Sequence, residues 1–451
     1  MKVRSIHNQA RFRKRFKVSR REKIHAESVK RPNSVLYFIS YVLIYPLLKL
    51  VFHLKVEDKD FEMPKGAHIV LANHNSMLDF LFVMLAIYPK RLNAVTAQKW
   101  FTMKSLHKLL PAMGCIPKNM FDPDIRSIIS IKTVLKRGDG ILLFPEGRVS
   151  TSGAYVGINK ATGKMVKKLG VPTVSCYIEG AYTCLPHWRK GLRRGPVRVT
   201  FKTLFSVDDA KSMSISEIND AIDARLSGAE GALPVTTPFR TFREKKLAEG
   251  LHKILYWCPI CDTEYKTESF DNEIRCNACG TSATMDRFAN LNPKTANNLA
   301  PKRSSTSPNP PHTAFPSSIQ EWFKKQIRHE QDSLAEDMEP LTECVIVKMP
   351  SETSGGGMVV KGEGVVKLDP QGWHFDGELS GEKVNLFFPI ETIPAMSYNH
   401  NEDFQIYSNG KFYMFVPENK QKSLKYVILA ECMHWKFSSI TQMTPGNAGY
   451  V

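Results

Sequence analysis

From residue 56 to about residue 245, apolar positions alternate between short compact runs and longer periodic ones. The runs at 67–71, 92–97, 140–144, 171–178 and 197–205 have the length and composition of buried strands. The separators 78–88, 101–110, 123–136 and 160–169 read as helices. Such alternation predicts an α/β fold with a mostly parallel sheet flanked by helices. Ligands of such sheets gather beyond the carboxyl ends of the strands, so the turns there are where chemistry is expected.

Outside this region the pattern changes. Upstream, 35–48 is a fourteen-residue run in which Ser40 is the single polar side chain, interrupted afterwards by Lys49. Its length suits an interfacial or re-entrant membrane helix within a membrane-associated segment 32–55; a buried core helix is the other reading. Downstream, 237–255 reads as an amphipathic helix rich in Lys and Arg. Residues 286–318 are rich in Pro, Asn and Ser and form a linker without a core. Ile319, Trp322, Phe323 and Ile327 then make one helical stripe within 319–340, expected to pack on a neighbouring domain. From 341 to 451 the period becomes two: 359–368, 372–375, 383–388 and 404–416 alternate, with Asn409-Gly410 as a hairpin turn. Leu424, Val427, Ile428, Cys432 and Trp435 give a closing helix.

A chain of 451 residues is too long for one ordinary core. Charge sharpens the upstream picture. Residues 1–31 hold twelve Lys or Arg against two Glu, over half of the chain's net +18. Such a tail favours anionic partners. The adjoining apolar segment points to lipid headgroups, with no nucleic acid expected, and puts the tail on the cytoplasmic face of a membrane. The lack of a small-residue cleavage site after the apolar run argues against a removable signal peptide. Nine cysteines without a secreted disulfide pattern fit a reducing compartment. Four of them form two CxxC pairs, Cys258/Cys261 and Cys276/Cys279, with fourteen residues between. That spacing predicts a zinc ribbon over 246–285, whose four thiolates would close a structural zinc site with no open position for catalysis.

The strand-end turns carry the candidate chemistry. After the first strand come Asn73-His74-Asn75-Ser76-Met77-Leu78-Asp79. A histidine and an aspartate five residues apart at a strand-to-helix turn can meet, giving an imidazole whose tautomer a carboxylate fixes. Ser76 and Asp79 also fit a capping box, with Ser76 as N-cap. After the strand at 140–144 comes Pro145-Glu146-Gly147-Arg148; after 171–178 comes Glu179-Gly180. The stretch Gly114-Cys115-Ile116-Pro117-Lys118-Asn119 ends near a cation. Singly, each has a plain structural reading: Asp79 as a helix cap, Glu146-Gly147-Arg148 as a surface turn with an ion pair, Lys118 as a solvated cation; their order and setting together point to a site.

In that order, Asn73-His74-x4-Asp79, Gly114-x-Ile116-Pro117, Phe144-Pro145-Glu146-Gly147-Arg148 and Val171-Pro172 resemble the four sequence blocks of the glycerolipid acyltransferases, closest to the 1-acylglycerol-3-phosphate O-acyltransferases. The resemblance implies an acyltransferase domain over 56–245. It implies His74 as general base, Asp79 as its orienting partner, and Glu146, Gly147 and Arg148 at the acceptor and phosphate site. Lys118 stands where the second block usually carries an arginine, and Arg148 follows Gly147 directly. The implied reaction moves an acyl chain from acyl-CoA or acyl-carrier protein to the hydroxyl of lysophosphatidate, giving phosphatidate, without a catalytic cofactor. Another lysophospholipid or glycerol 3-phosphate is the alternative acceptor, and a non-catalytic, nucleic-acid-binding zinc-ribbon adaptor is the alternative from another class. The implied partners are membrane phospholipid, the lysophospholipid and the donor; the implied place is the cytoplasmic face of a membrane, the inner membrane of a bacterium. The element order of 341–451 is similar to a pleckstrin-homology-like domain.

Overall fold

The computed structural model describes residues 27–57, 61–120, 124–228, 246–294, 315–334 and 339–439. Most of the basic tail, residues 237–245 of the expected amphipathic helix and most of the expected linker lie outside them.

The first unit is a seven-stranded sheet: β1 (Lys55–Val56), β2 (His68–Ala72), β3 (Leu92–Ala97), β4 (Ile116–Lys118), β5 (Gly140–Leu143), β6 (Thr173–Glu179) and β7 (Arg198–Phe205). The strands stand in the order β1-β7-β6-β2-β5-β3-β4, and every neighbouring pair is parallel except β6 with β7. β2 is buried along its whole length, because both faces are covered. Val70 and Ala72 look towards α1 (Ser34–Phe52) and α2 (Asp79–Ala86). Ile69 and Leu71 look towards α3 (Ile125–Lys136), α4 (Ala161–Leu169) and α5 (Ile215–Leu226). The period of two along the strand thus splits one apolar run between two cores.

Two sequence expectations change here. Residues 101–110 do not form one helix: a 3-10 turn spans Gln98–Thr102 and a single helical turn spans Leu109–Ala112. Contacts from the far end of the chain hold this segment, Lys99 Nζ on Gln405 Oε1 at 3.0 Å and Thr102 O accepting from Gly357 N at 2.9 Å, and override its helical spacing. The stretch 116–118, not among the expected strands, is the edge strand β4, paired with β3 through Val95, Thr96 and Ala97.

α1 is nineteen residues long with mean hydropathy 2.0, long and apolar enough to cross a membrane by length and composition. Tyr37, Leu48 and Phe52 pack against the sheet unit, and the Tyr37 hydroxyl donates to Leu92 O at 3.0 Å. Val35, Phe38, Ile39, Val42, Leu43, Leu47 and Leu50 are exposed.

Residues 246–255 are turns around a 3-10 turn at Leu251–Lys253 rather than the end of a helix. Gly250 lies at φ +92, a left-handed conformation that ends helical propagation, and a Cβ there would meet Trp188 O at 2.7 Å. The cysteine-bearing module follows. It holds the pair β8 (Trp257–Cys258) and β9 (Thr263–Glu264), and a four-stranded antiparallel sheet of β10 (Thr267–Phe270), β11 (Glu273–Cys276), β12 (Ser282–Met285) and β13 (Leu291–Lys294). α6 (Ile319–Asp332) buries Ile319, Trp322, Phe323 and Ile327. Trp322 Nε1 donates to Trp257 O at 2.8 Å, and Gln326 bridges Trp257 N and Ile254 O.

The last unit is an antiparallel sheet of β14 (Leu341–Pro350), β15 (Met358–Asp369), β16 (Gly372–Leu379), β17 (Glu382–Pro389), β18 (Ser397–Asn399), β19 (Asp403–Ser408) and β20 (Lys411–Pro417), closed by α7 (Ser423–Ser439). Its order is β17-β16-β15-β14-β20-β19-β18. Its core does not stop at its own boundary. Trp373, Phe375 and Phe404 belong to one continuous apolar cluster with Trp322 of α6, Trp257 and Ile274 of the cysteine module, and Tyr182 and Trp188 of the first unit.

Candidate active site

Because β2, β3, β4, β5 and β6 are mutually parallel, their carboxyl ends share one edge, and His74, Glu146 and Arg148 lie in the turns that follow β2 and β5. Asn73 anchors the first turn. Its side-chain amide donates to Ile178 O at 2.9 Å and its Oδ1 accepts from Ile178 N at 2.7 Å, joining the loop to the end of β6. His74 N donates to Glu146 Oε1 at 2.6 Å, and His74 O accepts from Ser150 N at 2.8 Å. The turn after β5 therefore grips the histidine's backbone on both sides. The Phe144 ring stacks on the imidazole, centroids 4.3 Å apart at 25°.

Asp79 is fully buried, and its Oδ2 collects three donors: His74 Nδ1 at 3.0 Å, Asn75 N at 2.6 Å and Ser76 N at 2.8 Å. Oδ1 has no hydrogen-bond partner among the described residues. Burial pushes the carboxyl up from its usual range, and the donors from His74, Ser76 and Asn75 pull it back. An acceptor oxygen on Nδ1 fixes the hydrogen there and leaves the lone pair on Nε2. The expected capping box forms only by half. Asp79 reaches back to Ser76 N, but Ser76 Oγ accepts from Leu78 N at 3.3 Å, and α2 begins at Asp79 with Leu78 as its cap. A tight turn precedes the helix, with Asp79 N on Ser76 O at 3.2 Å, so Asp79 opens the helix instead of sitting three residues in.

Glu146 is buried, and its Oε2 accepts from Val156 N at 3.4 Å. Burial drives its carboxyl up to about 8, against the bonds from His74 N and Val156 N. Gly147 takes φ +75 and donates its N–H to Phe144 O at 3.0 Å, a turn that a residue with a Cβ would strain. Arg148 forms a two-pronged ion pair with Glu431 of α7, its Nη2 on Oε2 at 3.0 Å and its Nη1 on Oε1. Lys118 ends β4, three positions from β2 in the strand order. The fourth block lies at the other edge: Pro172 precedes β6, and its carbonyl accepts from Ile69 N at 2.9 Å.

The C-terminal unit roofs this edge. The Tyr398 and Thr151 hydroxyls bond to one another, and the Tyr182 hydroxyl donates to Thr151 O at 3.0 Å. The half-buried His187 and the buried His400 have rings 4.7 Å apart. Burial, with Lys99 and His74 adding to it, pushes His187 down to about 4, so it is a neutral imidazole. Asn73, Lys99, Tyr398 and Glu431 escaped sequence reasoning as site residues. Asn73 could have been found from its place beside His74. Glu431 is 283 residues from Arg148, and no local signal links them.

Away from this edge, the Sγ atoms of Cys258, Cys261, Cys276 and Cys279 all lie within 4.8 Å of one another. Cys258 and Cys279 are 3.9 Å apart and Cys261 and Cys276 3.6 Å. A tetrahedron with zinc–sulfur bonds of ~2.3 Å has sulfur–sulfur edges of about 3.8 Å, so the four residues fit a closed zinc site.

The Glu146 environment makes a pH prediction. Its folded-state value lies above its ordinary 4.5, so the stability it contributes is complete below that value and is lost as pH rises through about 8. Glu146→Gln keeps an acceptor oxygen for His74 N and does not titrate. Thermal melts across pH should show the wild type losing stability relative to this variant between about 4.5 and about 8, with parallel curves outside that window.

Comparison with known proteins gives the same region. An acyltransferase family model matches residues 53–179. A chloroplastic 1-acyl-sn-glycerol-3-phosphate acyltransferase of Arabidopsis thaliana is 26% identical over 134 residues, 29% of this chain and 37% of that protein. Its counterpart from Brassica napus is 25% identical over the same length, 38% of that protein. The chain thus spans just over a third of the length of these relatives. A crystal structure of a 1-acyl-sn-glycerophosphate acyltransferase from Thermotoga maritima aligns with 49% of this chain and 86% of its own at 17% identity and a TM-score of 0.35. Residues 53–179 are an acyltransferase-family domain with homologues among the 1-acylglycerol-3-phosphate acyltransferases.

Proposed function

We propose that the chain is a membrane-associated O-acyltransferase that moves an acyl group from a thioester donor to the free glycerol hydroxyl of lysophosphatidate, giving phosphatidate. The observation that carries this is the His74–Asp79 pair, 3.0 Å apart, at the carboxyl edge of the parallel sheet. A glycerol hydroxyl is a poor nucleophile while it holds its proton. His74 Nε2 takes that proton as the oxygen attacks the thioester carbonyl, and Asp79 stabilises the imidazolium that forms. The carbon–sulfur bond then breaks, and the thiolate leaves with the proton returned from His74. Transfer is direct. Two cysteines of the domain support this: Cys115 and Cys176 are buried with thiols held up by burial, Cys115 at about 11, and so are poor nucleophiles. Arg148 holds the acceptor phosphate, Glu146 and Gly147 shape the turn that presents it, and Lys118 adds positive charge at the same edge.

The exposed apolar side of α1 lies in the lipid phase, where both acyl-bearing substrates reside. Nine free cysteines support a reducing, cytoplasmic face. The four-cysteine cluster holds structural zinc as a zinc ribbon, and the seven-stranded sheet with α7 is a pleckstrin-homology-like unit, a reading its element order supports.

The purified chain should transfer labelled acyl groups from acyl-CoA or acyl-carrier protein to lysophosphatidate in a panel of lysolipids. His74→Ala should lower the rate by at least about a thousand-fold in a chain that still folds; a near-normal rate in that variant would remove the mechanism. Metal analysis of the full chain should find one zinc per molecule, and Cys276→Ser should lose it and lower the melting temperature.

A further inference from the structure

Arg148 is held from outside its own unit. The Glu431 carboxylate takes both terminal nitrogens of the guanidinium, and its Oε1 also accepts from Met396 N at 2.9 Å. Glu431 is buried, so neither rotation into solvent nor a bulk counter-ion substitutes for this partner at low cost. Around the pair, the roof is fastened to the catalytic edge at three more points: Tyr398 on Thr151, Gln405 on Lys99, and Gly357 N on Thr102 O. Two cations of this edge, Arg148 and Lys99, therefore point at acceptors supplied by the C-terminal unit.

A fork-on-fork pair between guanidinium and carboxylate uses the same parallel donors that bind two oxygens of a phosphate. We propose that Glu431 is an internal competitor for the acceptor's phosphate: its carboxylate occupies Arg148 in the closed state, and a phosphate-bearing acceptor binds by displacing it. This rests on the reading of Arg148 as the acceptor-phosphate ligand. The C-terminal unit thereby sets the acceptor's apparent affinity, which falls by the fraction of molecules in which Arg148 is already engaged. No covalent step is involved. Displacement separates Glu431 from Arg148 and loosens the roof that Tyr398 and Gln405 hold down.

The test is binding of a water-soluble, short-chain lysophosphatidate to the full chain by calorimetry, without acyl donor, alongside turnover. Glu431→Gln keeps the shape and removes the charge. It should bind the lysophosphatidate about ten-fold more tightly than wild type or better, with a correspondingly lower KM, and the gain should vanish in the Arg148→Gln/Glu431→Gln double variant. Equal or weaker binding by a folded Glu431→Gln chain would overturn the proposal, as would a gain that survives loss of Arg148. Should Glu431→Gln not fold, Glu431→Asp, which keeps the charge but draws the carboxylate back by one carbon, should shift binding the same way; no shift overturns the proposal. Tighter binding without turnover would count against the catalytic reading alone. Turnover with unchanged binding would count against the competitor alone. Binding by no form of the chain would remove Arg148 as the acceptor's ligand, and this proposal with it.

Discussion

A carboxylate with three donors on one oxygen organises the candidate site. Asp79 Oδ2 ties together the first two backbone amides after His74 and the imidazole itself, within a stretch of six residues. Full burial makes that oxygen costly to leave unmatched, so the loop has few other ways to fold. The same bond decides which imidazole nitrogen is basic. One side chain thus meets a local turn requirement and sets the tautomer of the candidate base. Glu146 does the corresponding work from the neighbouring strand, holding His74 N on one oxygen and Val156 N on the other.

The parallel sheet gives this arrangement its reach. Strand order places β5 and β6 on either side of β2, so the turns after all three converge, with Asn73 bonded to Ile178 and His74 to Glu146. The far end of the chain then returns to the same edge. The cluster that runs from Tyr182 and Trp188 through Trp257 and Trp322 to Phe404 makes the cysteine module, α6 and the C-terminal sheet one packed body with the catalytic unit. Removing a large side chain from such a cluster is felt across it, because protein interiors are close-packed. Glu431 reaches Arg148 directly from this packed body.

The sequence carried the parallel sheet well. β2, β5 and β6 are apolar runs bounded by glycine or proline, and their periodicity survives any packing arrangement. It carried the His74–Asp79 contact because both partners sit in one turn. It failed where distant contacts rule. The segment 101–110 has helical spacing but is tied down at Thr102 by Gly357 N, beside the bond from Lys99 to Gln405. The capping box failed by a subtler route, since Ser76 and Asp79 have the right spacing and the helix simply starts later. The Arg148–Glu431 pair was illegible because neither residue's neighbours differ from those of an ordinary exposed ion pair. Only folding brings a glutamate of α7 onto the turn after β5.

In the proposed reaction His74 and Asp79 act as one unit, a base and the carboxylate that orients it. The most direct measurement is a double-mutant cycle on kcat with His74→Ala, Asp79→Asn and the two combined. Residues that act through one another are strongly non-additive, so the double variant should be no slower than His74→Ala alone, within about three-fold. Additive losses, with Asp79→Asn slowing the His74→Ala chain by the same factor as it slows the wild type, would show that Asp79 acts independently of the imidazole and rule the base–carboxylate unit out.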